Sequence, residues 1–229
     1  MQTDRSTRPT VYLFDIDGTL LSTGGAGRRA MEAAFAALTG NKDACAAFSF
    51  AGMTDRAIAR AGFLAVGESA TAERIDALIA AYLQSLHGEI GTSDGYRVLP
   101  GVTQVVAQLR QRAGCAIGLG TGNVRPGATV KLQRGGLAEH FDFGGFGCDH
   151  EDRAELLRIG AERGAARLGH DPARCRVIVI GDTVRDVRAA LAIGAACVAV
   201  GTSGTALDEL RTAGATAVHA DLTTALVSL

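Results

Sequence analysis

The 229-residue chain has no tryptophan, only 5% aromatic residues and just two lysines, Lys42 and Lys131, so nearly all of its positive charge is arginine. No apolar run approaches the ~20 residues that cross a bilayer. Residues Met1 to Pro9 are polar, without the apolar centre of a signal peptide or anchor. The formal net charge of −1 gives no electrostatic basis for binding nucleic acid or an anionic membrane. The five cysteines are odd in number, widely spaced and form no C-x-x-C pair. With Cys115, Cys175 and Cys197 in or beside apolar strands, they read as buried thiols of a reduced, cytoplasmic protein. No G-x-x-x-x-G-K-[ST] occurs, and Gly118-Leu119-Gly120-Thr121-Gly122-Asn123 carries asparagine where a dinucleotide loop needs its third glycine.

What is present is a core-forming alternation. The hydrophobic fraction of 47% is ample for a buried core, and the length fits one domain with an insertion or a large and a small domain. Apolar strands are expected at 11–14, 116–120, 141–146, 177–180 and 197–200, with a short last strand at 217–220. Helices are expected at 102–113, 127–134, 151–168 and 206–213, each followed by a glycine. Strands apolar on both faces and alternating with helices specify a doubly wound α/β fold, a parallel sheet covered on two sides.

From about residue 21 to 96 that rhythm breaks. Only helical patterns appear: Met31/Phe35/Leu38, Ile58 with Phe63, and Ile75/Leu78/Ile79/Tyr82/Leu83/Leu86, the last ending at Gly88. Glycine-rich junctions, Gly24 to Gly27 and Gly91 to Gly95, bound this block and fit either hinges or ordinary surface loops.

Chemistry concentrates at the carboxyl ends of three strands, the edge where open α/β sheets bind ligands. The first strand closes on Asp15-Ile16-Asp17-Gly18-Thr19-Leu20. Two carboxylates one residue apart, with a glycine turn beside them, can hold magnesium against a phosphate; the first can attack phosphorus while the second handles protons. Taken alone, the hexapeptide also fits a strand ending in an acidic turn. A second strand closes on Thr121-Gly122-Asn123, where the hydroxyl and the Gly122 and Asn123 N–H groups can meet phosphate oxygens. A third closes on Gly181-Asp182-Thr183-Val184-Arg185-Asp186, placing Asp182 and Asp186 about one helical turn apart and facing the same site. Read singly, that pair is a metal site or an N-capping aspartate with a solvated partner.

Together these segments resemble the haloacid dehalogenase superfamily of hydrolases, and within it the phosphoglycolate-phosphatase-like members. The resemblance runs from about Thr10 to Val218. It implies a Rossmann-like core over 1–21 and 96–229 with an all-helical cap over 22–95. It implies magnesium held by Asp15, Asp17 (through its backbone carbonyl) and Asp182, with Asp186 orienting the metal shell. It implies a phosphatase acting on a small phosphorylated metabolite, with Asp15 as nucleophile, Asp17 as acid and base, and Thr121, Gly18, Gly122 and Asn123 around the phosphate. The family's basic residue is normally a lysine at a helix start; here that region carries Arg153, which is assigned the role. Lys131 is the only lysine in reach and lies inside the preceding helix. The loop Ser49 to Arg56 resembles the cap loop that touches substrate, nominating Thr54 and Arg56, although Thr54 also fits a helix N-cap. Arg28, Arg29 and Arg60 are further cap cations that could meet a substrate carboxylate.

Asp17 and the lysine-poor cap disfavour dehalogenase and phosphonate-hydrolase members. A sugar-phosphate mutase is the runner-up, since it keeps Asp17. A phospho-aspartate signalling module normally closes its first strand with paired acids and its third with the phosphate acceptor. Here the third strand ends at Gly147-Cys148-Asp149 and a long cap follows the first, which argues against it, while a binding module without turnover keeps the same residues. The expected assembly is a monomer or homodimer.

Overall fold

The computed structural model describes residues 8–225. The polar stretch 1–7, part of the segment read above as neither signal peptide nor anchor, lies outside the described residues, as do residues 226–229.

Strand β1 (Thr10–Phe14) is wholly buried and forms the centre of the sheet. Its neighbours are β4 (Cys115–Thr121) on one side and β6 (Arg176–Gly181) on the other, both parallel to it. Beyond β4 lies β5 (Gly144–Phe146), and beyond β6 lie β7 (Ala196–Val200) and β8 (Ala217–His219), giving the order β5-β4-β1-β6-β7-β8. Side chains of β1 alternate between two cores, as the strand period requires. Tyr12 and Phe14 pack with helices α4 (Val102–Gln111) and α5 (Arg125–Arg134). Val11 and Leu13 pack with α6 (Arg153–Leu168), α7 (Val184–Ala192) and the short α8 (Leu207–Thr212). The sheet is thus covered on both faces, as the doubly wound reading requires.

A third core joins helices α1 (Ala26–Thr39), α2 (Asp55–Ala65) and α3 (Ala72–Thr92) through Met31, Phe35, Ile58, Phe63, Ile75 and Tyr82. Leu38, read in the same stripe, is 41% exposed in the last turns of α1. Helix α3 does not stop at Gly88 but continues to Thr92. A glycine inside a helix costs only about 1 kcal/mol, and buried Ile90, one turn beyond Leu86, keeps the apolar stripe anchored.

Two other expectations need correction. The third strand of the sequence reading shrinks to β5, Gly144–Phe146, because a 3₁₀ turn at Ala138–His140 precedes it; Phe141 and Phe143 still enter the two cores, which is why their run looked like strand. The junctions of the helical block contain an antiparallel ribbon, β2 (Leu21–Thr23) paired with β3 (Tyr96–Val98), that was not expected. Three residues are too few to display a period. Next to this ribbon, backbone Gly24 and Gly95 approach so closely that a Cβ on either would overlap the other. The two connections between block and core therefore run side by side.

All five cysteines are free, with Cys45, Cys175 and Cys197 buried and Cys115 only half-buried at the start of β4. Among the described residues no helix is long and apolar enough to cross a membrane.

The tightest packing of helix on sheet lies at Gly145, where an added Cβ would overlap the Leu156 carbonyl of α6. Backbone cannot yield as a side-chain tip can, so Gly145→Ala is expected to cost about 3 kcal/mol or more and to lower Tm by about 6–12 °C in thermal unfolding.

Candidate active site

At β1 the chain reverses its direction of travel across the sheet, since β4 and β5 lie to one side and β6, β7 and β8 to the other. This is the switch point at which α/β sheets open a crevice. Asp15, the residue after β1, donates its N–H to the Ile180 carbonyl of β6 at 2.9 Å, so its carboxyl sits beside the end of that strand. There Asp182 accepts from the Thr19 hydroxyl at 2.7 Å. The turn between Asp17 and Thr19 needs glycine: Gly18 has φ +84°, and a Cβ there would run into the Asp182 carboxylate. A cavity of about 480 Å³ opens over this edge, with Asp15, Asp17, Asp182, Lys131 and Arg153 in its wall.

Arg153 reaches the cavity because Asp152 caps α6, accepting from the Ala154 and Glu155 N–H groups and fixing where the helix begins. Its Nη2 lies 3.1 Å from Asp15 Oδ1 and 2.5 Å from Asp186 Oδ1, and its Nε donates to the same Asp186 oxygen at 2.9 Å. The second oxygen of Asp186 accepts from the N–H and hydroxyl of Thr183, closing the capping box of α7. With both oxygens engaged, Asp186 holds the guanidinium. Burial pushes the Asp15 carboxyl up to about 6 against the pull of Arg153, with Asp186 and Asp17 adding to the rise. Asp182 is raised well above the ordinary carboxylate range by burial, then by Asp186 and Asp15.

Asp17 belongs to a second charge group. Its Oδ2 accepts from Lys131 Nζ at 2.7 Å and from Asn123 Nδ2 at 2.8 Å, while Lys131 also donates to Asn123 Oδ1 at 2.6 Å. One carboxylate oxygen is thus pinned, and the residue lines the cavity. Lying inside α5 does not exclude Lys131 from the site: it shares the buried stripe of that helix with Ala128 and Leu132, and its stem carries the ammonium to the sheet edge. A lysine in an apolar stripe was the signal available in the sequence. Burial works against the Lys131 charge, but Asp17, Tyr82 and Asp55 outweigh it and raise its pKa.

Asp55 and Tyr82, which sequence reasoning did not nominate, come from the helical block. Asp55 accepts the Val124 N–H at 2.8 Å and donates its own N–H to the Gly122 carbonyl at 2.8 Å. It thereby caps α5, whose own N-cap residue, Val124, has no side chain able to do so. An acid in the first turn of a helix is commonplace, so nothing in the sequence set Asp55 apart.

The remaining nominated residues divide. Gly122 and Asn123 line the cavity with Gly18. Thr121 is fully buried, and its hydroxyl accepts from Asn123 Nδ2 at 2.9 Å, so it shapes the turn from beneath. Thr54 is the N-cap of α2, accepting from the Ala57 N–H and donating to the Glu151 carbonyl, and it does not line the cavity. Arg56 pairs with Asp76 of α3 at 2.5 Å and is not among the residues lining the cavity.

The donor set suits a hard divalent cation. Oxygens of Asp15, Asp182 and Asp186 lie within 4.8 Å of one another, and two of these three buried carboxylates, Asp15 and Asp186, pair with the buried guanidinium of Arg153. Since Asp186 is engaged by Arg153 and Thr183, the carboxylates open to a cation are Asp15 and Asp182.

Fold and site together define an α/β domain with a carboxylate centre at its switch point. The family model for haloacid dehalogenase-like hydrolases matches residues 9–194, and the chain belongs to that family. A protein named phosphoglycolate phosphatase from Synechococcus elongatus is 34% identical over 122 residues, 53% of this chain and 54% of that one, so the likeness spans about half of each. Among solved structures, a hydrolase from Pseudomonas syringae superposes with a TM-score of 0.71 at 22% identity, covering 96% of this chain and 97% of that one. CbbY from Rhodobacter sphaeroides, solved in complex with phosphate, gives 0.70 at 20% identity, covering 94% and 96%. At these identities the two structures speak to the fold.

Burial, opposed by Lys131 and the Val124 N–H, pushes the Asp55 carboxyl from 3.8 up to about 6. A raised folded pKa means that its stabilising contribution is complete below 3.8 and is lost as pH rises through about 6. Asp55→Asn removes the titration. The variant should match wild type near about pH 4 and exceed it by about 2–3 kcal/mol near about pH 7, as read from denaturant unfolding at each pH.

Proposed function

We propose that the chain is a magnesium-dependent phosphatase that hydrolyses a small phosphate monoester through a phospho-aspartate on Asp15. Residues 22–95 act as a helical cap over a catalytic core of 1–21 and 96–229. The observation that carries this reading is the pairing at one sheet edge of Asp15, held by Arg153, with Asp17, held by Lys131 and Asn123, both in the wall of one cavity.

In the first step an Asp15 oxygen attacks phosphorus, the bond from phosphorus to the ester oxygen breaks, and Asp17 gives that oxygen its proton. In the second, Asp17 takes a proton from water, the water oxygen attacks phosphorus, and Asp15 leaves as a carboxylate with inorganic phosphate. Arg153 offsets charge on the transferring group, and N–H groups around Gly18, Gly122 and Asn123 orient its oxygens. Asp15, Asp182 and the Asp17 backbone carbonyl would hold magnesium, which would offset the repulsion between carboxylate and phosphate. Asp186 acts through Arg153. Phosphoglycolate leads as substrate on similarity to the Synechococcus elongatus relative. The setting proposed is cytoplasmic, as a monomer or homodimer.

Phosphate release from p-nitrophenyl phosphate is expected to need magnesium and to vanish with chelator. Asp15→Asn should remove turnover and leave the circular dichroism spectrum unchanged, because the amide keeps the shape and loses the nucleophile; near-native activity would remove Asp15 from that role. A phospho-enzyme that persists without releasing phosphate would instead mark a binding or signalling module.

Arg153→Ala should lower kcat by about 10²-fold or more, the scale of one lost electrostatic donor. Arg153→Lys should recover only part of this, since an ammonium cannot span two carboxylates as a guanidinium does.

A further inference from the structure

Part of the cavity wall is apolar. Met31, Ile58 and Leu99 are buried behind its surface, and Phe50 and Met53 are half-buried on it. The volume of about 480 Å³ falls within the range of pockets that enclose ligands far larger than a two-carbon acid.

The cap offers no arginine for a leaving-group carboxylate. Arg28 lines the cavity, but its Nη1 donates to the Cys45 carbonyl at 3.1 Å and to Glu32 at 3.3 Å, and its Nη2 to the Phe48 carbonyl at 3.0 Å. Its guanidinium lies over the Phe50 ring, 4.0 Å from the centroid, and so fixes that ring in the wall. Arg29 pairs with Glu89 at 2.7 Å, Arg56 with Asp76 at 2.5 Å, and Arg60 with Glu151 at 2.9 Å. Arg97, on β3 and not in the cap helices, also lines the cavity; it is solvent-exposed, and its Nη1 donates to the Gly95 carbonyl at 3.4 Å. The two buried cations, Lys131 and Arg153, belong to Asp17 and Asp15.

From this wall we infer that the site takes a phosphate monoester whose leaving alcohol carries an apolar, ring-sized body and no carboxylate. The inference rests on the phosphatase reading above and sets such an ester ahead of phosphoglycolate. The ring packs against Phe50 and Met53, with Met31 and Ile58 behind them, while the phosphate meets Asp15. Burying a phenyl-sized group is enough to shift affinity by at least tenfold.

Two measurements test it separately from turnover and within it. In calorimetry with magnesium present, benzylphosphonate should bind at least tenfold more tightly than ethylphosphonate; neither can be hydrolysed. In steady-state assays, kcat/KM for benzyl phosphate should exceed those for ethyl phosphate and phosphoglycolate by at least tenfold. Phe50→Ser should bring the benzyl-to-ethyl ratio toward one in both assays; a general loss of folding would lower both members and leave the ratio standing. Equal affinity for the two phosphonates, or a higher kcat/KM for phosphoglycolate, overturns the inference even if every ester is hydrolysed. If no ester releases phosphate while benzylphosphonate still binds more tightly, the apolar pocket stands and the phosphatase reading falls.

Discussion

Carboxylates do not gather in a buried place unless an opposite charge holds them, and at the end of β1 the holder is Arg153. Its planar fork meets Asp15 and Asp186 together, at 3.1 and 2.5 Å, while its third nitrogen approaches the Gly52 carbonyl of the loop above at 3.5 Å. Removing one partner of such a group leaves an uncompensated buried charge, far costlier than the net worth of the pair. Three elements depend on it: the start of α6, which supplies the arginine; the first turn of α7, whose capping box aims Asp186; and the end of β1. A lysine, the residue usual in this family, would bring one point charge to the same place. Arginine brings a rigid spacing between two carboxylates.

Lys131 does the corresponding work on the other side of β1, and the two groups divide the labour. Arg153 is tied to elements of the core, through Asp15 and Asp186. Lys131 faces Asp17 and Asn123 of the core and is also raised by Tyr82 and Asp55 of the helical block. The docking of that block is therefore felt at Asp17 through an ammonium that both sides share. Around it the seam is closed by Thr54 and Arg60 on Glu151, and by Arg185 on the Ala51 carbonyl.

Much of the fold was legible because β1, β4, β6 and β7 are long, continuous apolar runs, and their carboxyl ends carry the acids. Asp15, Asp17, Asp182 and Asp186 could be placed together from strand ends and helix pitch alone. What escaped was of two kinds. The ribbon of β2 with β3 and the shortened β5 are three-residue pieces, in which no period can be recognised. Asp55 and Tyr82 depend on which face of one helix meets another, a tertiary fact that local spacing does not contain; Lys131 was visible as the only lysine in reach, but its pairing with Asp17 was not. The ion pair of Arg56 is of the same kind: it follows the Gly52 to Asp55 loop in sequence, and α2 brings it to Asp76 of α3.

The central position of β1 has a consequence for synthesis. Its first strand partner begins at Cys115 and its second at Arg176. At ribosomal rates of about 5–20 residues per second, the chain carries β1 for roughly 5–20 s before β4 exists, and longer before β6 does. During that interval an apolar strand with two open edges, Val11-Tyr12-Leu13-Phe14, precedes a helical block able to bury its own apolar faces first. The nascent chain thus emerges with its central strand waiting longest for its partners, and the acids that end that segment lie beside it.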